Sequence, residues 1–409
     1  MTTARITLSN FFCFFMVILL LSGCGSITAN HVGDNIKPAV VSQELAEAEL
    51  LDATITVFDS KELTDKQLEK EGLSEEIRQA EQRFIPIHLK YTMQRSGYWG
   101  AIRVLPVADE ANVQVSGMVL HSDGERLDVK ITARDSRGVV WFSKTYSDTV
   151  APRDYDRITV EKKDSFQDLY TTIANDLIEY RNKLTLKEIK DIRQVSELRF
   201  AADMAPDSLS GYLAEDKEEH LSVVRLPDEN DPMLKRVRAV KVRDEMLADI
   251  INGYYDMFYQ DLWKPYADWR QLHSEEAIAL RAVERDALTR QVLGVAAIIG
   301  AVIVSSGHGD LADSVLPGVM VMGGAAAFYS GLQKREETRI HKEAIEELGI
   351  SFTSEAEPLV VEVQGEMVRL SGSAEEQYNK WREMLRDIYA AESGLPLVDN
   401  IDEADRQEH

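Results

Sequence analysis

The stretch VQVSGMVL at residues 113–120, followed by RLDVKITA at 126–133 and VVWFSKTY at 139–146, decides the fold of this chain. Apolar and polar residues alternate along each run, as is typical of strands with one face in a core. The connecting segments SDGE at 122–125 and DSRG at 135–138 place Asp and Gly where tight turns need them. The three runs therefore predict an antiparallel meander. The residues predicted on its buried face are Val113, Val115, Val119, Leu127, Val129, Ile131, Val140 and Phe142.

Further elements around the meander predict an α/β domain over residues 50–184. The predicted elements are strands at residues 50–58 and 99–105 and helices at residues 74–97 and 165–183. The first helix is predicted to break or kink at Pro86, because proline lacks the backbone N–H that a helix uses. The second helix is amphipathic. The residues on its apolar face are Phe166, Leu169, Ile173 and Leu177.

The order of these elements over residues 50–183 resembles the periplasmic α/β module of the curli-secretion lipoprotein, of the lipoprotein activators of penicillin-binding proteins, and of the amino-terminal domain of the Tol translocation protein. The resemblance rests on element order and implies a periplasmic interaction module. It assigns a role to no individual residue.

Residues 185–290 are predicted to be mainly helical, with interruptions near Asp207 and at 227–232 and a break at Pro265. Aromatic residues recur here at spacings of three and four, which places most of them on one side of a helix. The members of this aromatic row are Tyr255, Tyr259, Trp263, Tyr266 and Trp269. They predict either a surface that stacks on sugar rings, such as those of peptidoglycan, or an amphipathic core face, and we favour the core.

Residues 291–332 form the second unusual segment, predicted as an apolar helical hairpin. Two uncharged runs, 292–304 and 315–332, are rich in glycine and alanine and flank a polar tip. The glycines that would let its helices approach closely are Gly294, Gly300, Gly318, Gly323, Gly324 and Gly331. The segment resembles the glycine-zipper hairpins of some outer-membrane lipoproteins. Membrane insertion, assembly with further copies, and a buried helical pair all remain open.

The remaining residues predict a short carboxy-terminal unit. Residues 333–394 are predicted to contain a helix, a strand pair at 358–370 and a helix at 373–391. Residues 395–409 are predicted to be an acidic tail.

The beginning of the chain predicts export and attachment to a membrane. Residues 1–23 contain one cation and an apolar run, as in a signal peptide, and end in Leu21-Ser22-Gly23-Cys24. This motif resembles the lipobox of bacterial lipoproteins, which implies that Cys24 is lipidated and that residues 24–49 are a lipidated amino terminus and a linker. In Gram-negative lipoproteins an aspartate after that cysteine favours the inner membrane. Gly25 stands there, so the outer membrane is expected.

Composition excludes some kinds of partner and chemistry. The formal net charge of −24 argues against nucleic-acid binding, which needs clustered cations. The chain has two cysteines, Cys13 and Cys24, so the processed protein is expected to keep no free thiol. We find no phosphate loop and no motif for acyl transfer or zinc proteolysis. The sequence therefore predicts no catalytic residue, metal site or cofactor. A cluster of His121, Asp123 and Glu125 is better explained by a turn.

Together these features predict an α+β outer-membrane lipoprotein with its body in the periplasm. Its expected role is a structural, scaffolding or regulatory one in an envelope assembly, through contacts with other envelope proteins or with further copies. Its membrane contacts would be the lipid on Cys24 and the 291–332 hairpin. Two alternatives remain open: a peptidoglycan-binding or peptidoglycan-modifying lipoprotein, and an oligomeric export or pore component that uses the hairpin.

Overall fold

The computed structural model describes residues 30–304, with gaps at 65, 69–72, 74, 109–110, 151–163 and 229, and then residues 343, 347, 359–363 and 366–393. For nearly all residues beyond Ser274 in the longest helix, only the backbone is described. The strands are β1 (Asn30–His31), β2 (Ala53–Thr56), β3 (Asp59–Ser60), β4 (Ile102–Leu105), β5 (Val113–Ser122), β6 (Arg126–Asp135), β7 (Val140–Thr149), β8 (Leu213–Glu215), β9 (Leu221–Val223), β10 (Leu359–Val363) and β11 (Glu366–Leu370). The helices are α1 (Glu75–Gln94), α2 (Gln167–Arg181), α3 (Leu186–Met204), α4 (Pro206–Leu209), α5 (Pro232–Val304) and α6 (Ala374–Ser393).

The main sheet is mixed, with strand order β1-β7-β6-β5-β2-β4 and with β3 also paired to β5. Strands β5, β6 and β7 form the predicted antiparallel meander. Strand β2 runs parallel to both β5 and β4, and α1 connects β2 to β4 through a βαβ crossover. Two separate antiparallel pairs, β8-β9 and β10-β11, lie outside this sheet. The fold is α+β, as predicted.

The buried face of the meander is close to the predicted one, with one correction on β7. The predicted residues of β5 and β6 are all buried, and Phe142 packs against the core. Val140, however, is exposed, whereas Trp141 is buried. A register shift between Ala133 and Arg134 leaves Trp141 as an extra residue on β7. Because a bulge re-aims the side chains beside it, the strict alternation used for the prediction fails at this end.

The predicted break at Pro265 is wrong, and of the break or kink predicted at Pro86 the break is absent. Helix α1 continues through Pro86, and α5 continues through Pro265. A proline removes one hydrogen bond from a helix, and packing of the helix on both sides can offset that loss. Ile85 and Ile87 are buried beside the first proline, and Tyr266 is buried beside the second.

The predicted linker is shorter than expected, because the chain is attached to the domain from Asn30 onwards. Strand β1 pairs in parallel with the edge of β7. The backbone N–H of Asn35 donates to Asp168 at 2.8 Å, and that of Ala39 donates to Asn175 at 2.8 Å, both on α2. These side chains satisfy backbone groups of a segment with little regular structure of its own.

Helix α5 is the element on which the separate parts of the chain meet. It packs against α1, β4, α3 and α6. One hydrophobic core runs from Leu51 in the sheet domain to Tyr389 in α6. Of the predicted carboxy-terminal unit, the strand pair and the second helix are present as β10, β11 and α6, and the apolar face of α6 is buried. The first helix predicted in that unit lies almost entirely outside the described residues. The β8-β9 pair was not predicted. Among the described residues, no helix has a stretch both long and apolar enough to cross a membrane.

Gly117 provides a direct test of the packing under the meander. A Cβ at this position would lie 2.5 Å from the ring of Phe58, and that ring is 1% exposed and packed in the hydrophobic core. We expect Gly117→Ala to lower the free energy of unfolding by about 1–3 kcal/mol, measured by urea denaturation. Gly211→Ala is the matched control, because a Cβ there meets nothing within 4 Å. Equal stabilities of the two variants would contradict the observed packing.

Candidate functional site

Charged groups are buried where α1, α5 and the start of α2 meet. Glu81 of α1, Asp164 before α2, and Arg270 of α5 are each 2% exposed or less. Buried charges of this kind are costly unless they are paired and hydrogen-bonded. Their partners therefore show how the three segments are held together.

Asp164 and Arg270 form a buried bidentate ion pair. Nη2 of Arg270 donates to Oδ2 of Asp164 at 2.5 Å, and Nη1 donates to Oδ1 at 3.2 Å. The guanidinium also lies 4.3 Å from the ring centroid of Tyr266. Burial alone would raise the pKa of Asp164, but the positive charge of Arg270 carries it below its ordinary value. Asp164 is therefore ionised at neutral pH.

Glu81 ties α1 to the meander and to α5. Its Oε1 accepts hydrogen bonds from the hydroxyls of Ser122 and Tyr266, each at 2.5 Å. Burial raises the pKa of this carboxyl above its ordinary value, and the two hydrogen bonds act in the opposite direction. The turn after Ser122 also lies against α5, because a Cβ on Gly124 would meet the backbone oxygen of Arg270 at 2.6 Å. The main chain can approach this closely only where a side chain is missing.

His88 lies two turns further along α1 and is 4% exposed. Its Nε2 lies 3.0 Å from Oε1 of Gln167, which can only accept, so Nε2 carries the proton. Its Nδ1 then accepts from the hydroxyl of Tyr259 at 2.7 Å. Burial lowers the pKa of His88, while the nearby charge of Asp164 acts in the opposite direction. His88 is thus a neutral histidine with both ring nitrogens engaged.

A cavity of about 460 Å³ opens beside His88, between α1 and α5. The residues that line it are His88, Tyr91, Thr92, Arg95, Tyr259, Gln260 and Trp263. The rings of Tyr91 and Tyr259 are 5.2 Å apart between centroids, and those of Tyr259 and Trp263 are 5.5 Å apart. Arg95 is exposed at the cavity and forms no ion pair with any residue that the structure describes. We call these seven residues the α1–α5 cavity.

A second polar cluster holds the edge of the sheet next to this cavity. Lys90 is 1% exposed and is paired with Asp256 of α5, and the hydroxyl of Tyr91 donates to the same carboxylate at 2.9 Å. Burial raises the pKa of Tyr91 to about 12, and Asp256 adds to this shift. Oδ1 of Asn252 accepts from the backbone N–H of Val104 at 3.0 Å. Helix α5 thereby covers the edge strand β4, which would otherwise present unpaired backbone groups.

The chemistry of the cavity is that of a binding site. Aromatic rings with polar tips, an exposed guanidinium and two uncharged polar side chains offer stacking, hydrogen bonds and a positive charge. Two groups near the cavity are suited to acid–base catalysis, His88 and Glu81. Both ring nitrogens of His88 are hydrogen-bonded to protein groups. Glu81 accepts two hydrogen bonds through Oε1, and its other oxygen is buried away from solvent. Among the described residues, no cluster of three or more His, Cys, Asp or Glu side chains is arranged to hold a metal ion.

The structure separates the five residues of the predicted aromatic row. Tyr255, Tyr266 and Trp269 are 2% exposed or less and belong to the core, so the alternative of a continuous aromatic surface is wrong for them. Tyr259 and Trp263 are half-buried and line the cavity. The reason is that spacings of three and four cover a wide arc of a helix, of which only one margin reaches solvent.

The other predicted site residues are not tested in the same way. Cys24 lies outside the described residues, as do Gly318, Gly323, Gly324 and Gly331. Gly294 and Gly300 lie within α5, of which only the backbone is described there. The predicted turn explanation for Asp123 agrees with its contacts. Its Oδ1 accepts from the backbone N–H groups of Glu125 and Arg126, and its Oδ2 lies 2.8 Å from His121.

Sequence reasoning missed His88, Arg95 and the Asp164–Arg270 pair. The two charges of the pair are 106 positions apart, and neither stands in a motif. His88 had a usable signal, because Phe84 and Ile85 stand one turn before it on the same face of the helix. A polar residue on such a face needs a buried partner.

No family model matches this chain, and no match is found among curated proteins. Among solved structures, the chain is similar to a dodecamer of a single-residue variant of PelC from Paraburkholderia phytofirmans. The sequence identity is 15%, the match covers 35% of this chain and 95% of that chain, and the TM-score is 0.21. A similarity at this level identifies neither a shared fold nor a shared function.

The buried ion pair is open to a double-mutant cycle. We expect Arg270→Met and Asp164→Asn each to cost about 3–5 kcal/mol in the free energy of unfolding, because each leaves the other charged or polar group buried without its partner. The double variant should cost less than the sum of the two, by about 1–3 kcal/mol. Chemical denaturation of all four proteins measures this coupling.

Lys264→Met, which breaks an exposed pair with Asp268 on the same helix, is the control. It should change stability by no more than about 0.5 kcal/mol. Strict additivity of the two core substitutions would show that the ion pair does not hold α5 to the domain.

Proposed function

We propose that this chain is a lipid-anchored, structural or regulatory component of a bacterial cell envelope, and that it acts by binding. Lipid on Cys24 holds it to the outer membrane, and its body lies in the periplasm. Its partners are other envelope proteins or further copies of the chain. The proposal combines the lipobox-like segment Leu21–Cys24 with the chemistry of the α1–α5 cavity.

The observation that carries the proposal is that both ring nitrogens of His88 are hydrogen-bonded within the protein. A histidine that opens onto a cavity is a natural general base when one ring nitrogen faces the ligand. Here one nitrogen donates to Gln167 and the other accepts from Tyr259. The cavity therefore supports contact with a partner better than proton transfer, which favours a binding role over an enzymatic one.

The membrane attachment has a test with a matched control inside the chain. We expect the full-length protein to incorporate radiolabelled palmitate in Gram-negative cells and to fractionate with outer membranes. Cys24→Ala should abolish both. Cys13→Ala should preserve both, because Cys13 lies in the predicted signal. Labelling that survives Cys24→Ala would remove the anchor from the proposal.

A second candidate function, peptidoglycan binding, is favoured by the cavity lining. Aromatic side chains pack on the apolar faces of sugar rings, and Tyr91, Tyr259 and Trp263 supply three such side chains. Arg95 supplies a cation for the carboxylates of the peptide stems. The cavity volume of about 460 Å³ is within the usual range for small-ligand sites.

Sedimentation with purified sacculi tests this second function. Trp263→Ala should weaken binding by roughly tenfold in affinity, since the loss of one stacking contact is worth about 1–3 kcal/mol when measured for bases on aromatic side chains. Tyr212→Ala is the control, because Tyr212 is half-buried and does not line the cavity. No sedimentation of the unchanged protein, or an equal loss in the control, would reject peptidoglycan binding.

A further inference from the structure

Helix α5 carries an apolar stripe on its outer side that no described residue covers. Val242, Met246, Ile250 and Met257 are 50%, 62%, 45% and 54% exposed, although all four are large apolar residues. They follow one another at spacings of four and seven, so they lie on one line along the helix. The opposite side of the same turns is packed into the core.

Two small residues extend and interrupt this stripe. Ala239 is exposed one turn before Val242. Gly253 lies between Ile250 and Met257, and a Cβ there would meet nothing within 4 Å. A glycine inside a helix is less favourable than alanine, and no contact with a described residue requires one here. Small residues at such positions let another helix approach closely. We define the outer stripe as Ala239, Val242, Met246, Ile250, Gly253 and Met257.

Charges along the same turns divide the helix into two halves. Residues 235–243 contain five lysines and arginines and no carboxylate, whereas residues 244–261 contain five carboxylates and no lysine or arginine. A helix with this distribution is complementary to itself when the second copy runs in the opposite direction. A parallel pair would set like charges beside each other along its whole length.

We propose that a second copy of this chain docks antiparallel on the outer stripe and forms a two-fold dimer. The symmetry axis passes Met246, the most exposed large apolar residue of the stripe. In this register Val242 faces the partner's Ile250, and Ala239 faces the partner's Gly253.

The same register sets the basic half of one helix, residues 235–243, beside the acidic half of its partner, which lies within residues 244–261. Both members of a two-fold interface repeat each contact, so the Val242–Ile250 and Ala239–Gly253 contacts each occur twice, on either side of one Met246–Met246 contact at the axis.

The contact is small. Residues 235–257 span roughly 33 Å at about 1.5 Å per residue, and a single helix pair of this length buries less than the roughly 800 Å² per partner of a standard interface. We therefore expect a dissociation constant in the micromolar range rather than an obligate dimer. This inference depends neither on the lipid anchor nor on the α1–α5 cavity.

Disulfide crosslinking of the full-length chain tests the register. Met246→Cys places a thiol at the axis, so oxidation with copper phenanthroline should convert most of the protein to a covalent dimer. Met257→Cys is the matched control, because it is similarly exposed but its two copies lie roughly 33 Å apart, each eleven residues from the axis. The Met257→Cys variant should form at least tenfold less covalent dimer than Met246→Cys. Its yield should equal that of the unchanged chain, which contains only Cys13 and Cys24.

Equilibrium sedimentation of the full-length protein tests the association itself. Met246→Glu should raise the dissociation constant at least tenfold, with an unchanged melting temperature because the side chain is exposed. Leu186→Glu, at a 67% exposed position on α3, should leave association unchanged. Three results would each overturn the dimer. The first is equal crosslinking from positions 246 and 257, and the second is a protein that is still monomeric at a concentration 100-fold above the expected dissociation constant. The third is a Met246→Glu variant that binds lipid vesicles more weakly but associates with itself as before.

Discussion

The burial of one ion pair, Asp164 with Arg270, governs how the long helix meets the sheet domain. Neither charge reaches water, so each depends on the other and on the ring of Tyr266 beneath the guanidinium. Because Arg270 is held on α5 and Asp164 stands directly before α2, the pair sets both the rotation and the depth of the helix. The close approach of Gly124 to the α5 backbone and the hydrogen bond from Tyr266 to Glu81 then follow from the same placement.

This constraint explains the form of the α1–α5 cavity. Helix α5 is held against α1 by the Glu81 cluster at one end and by the Lys90–Asp256 pair at the other. Between them His88 bridges Gln167 and Tyr259. The cavity is thus bordered by residues that are already fixed, and little ordering of its aromatic walls is needed on binding. A preorganised recognition surface fits the proposed binding role.

Much of the fold followed from local patterns, and the site did not. The meander was predictable because alternation on β5 and β6 and the glycines at 124 and 138, both with positive φ, are local signals. The burial of Trp141 could not be predicted in this way, because a bulge depends on pairing with the neighbouring strand. The helix breaks predicted at Pro86 and Pro265 are absent for a related reason. Tertiary packing stabilises helices that the local preference of proline would end. The cavity depends on contacts such as His88 with Tyr259, 171 positions apart, which no periodicity reports.

The position of α6 has a consequence for the order in which the chain matures. This last helix fills the groove between α3 and α5, with Arg382 paired to Asp203 on one side and to Asp244 on the other. Until residues near Tyr389 are available, the apolar faces that bury Trp381 and Leu385 have no cover. Contacts this distant in sequence close slowly, and exposed apolar faces are prone to aggregation in the interval. A chain that becomes available amino terminus first therefore completes this part of its core only when α6 is available, so its apolar faces stay uncovered for longer than those of a protein whose core closes early.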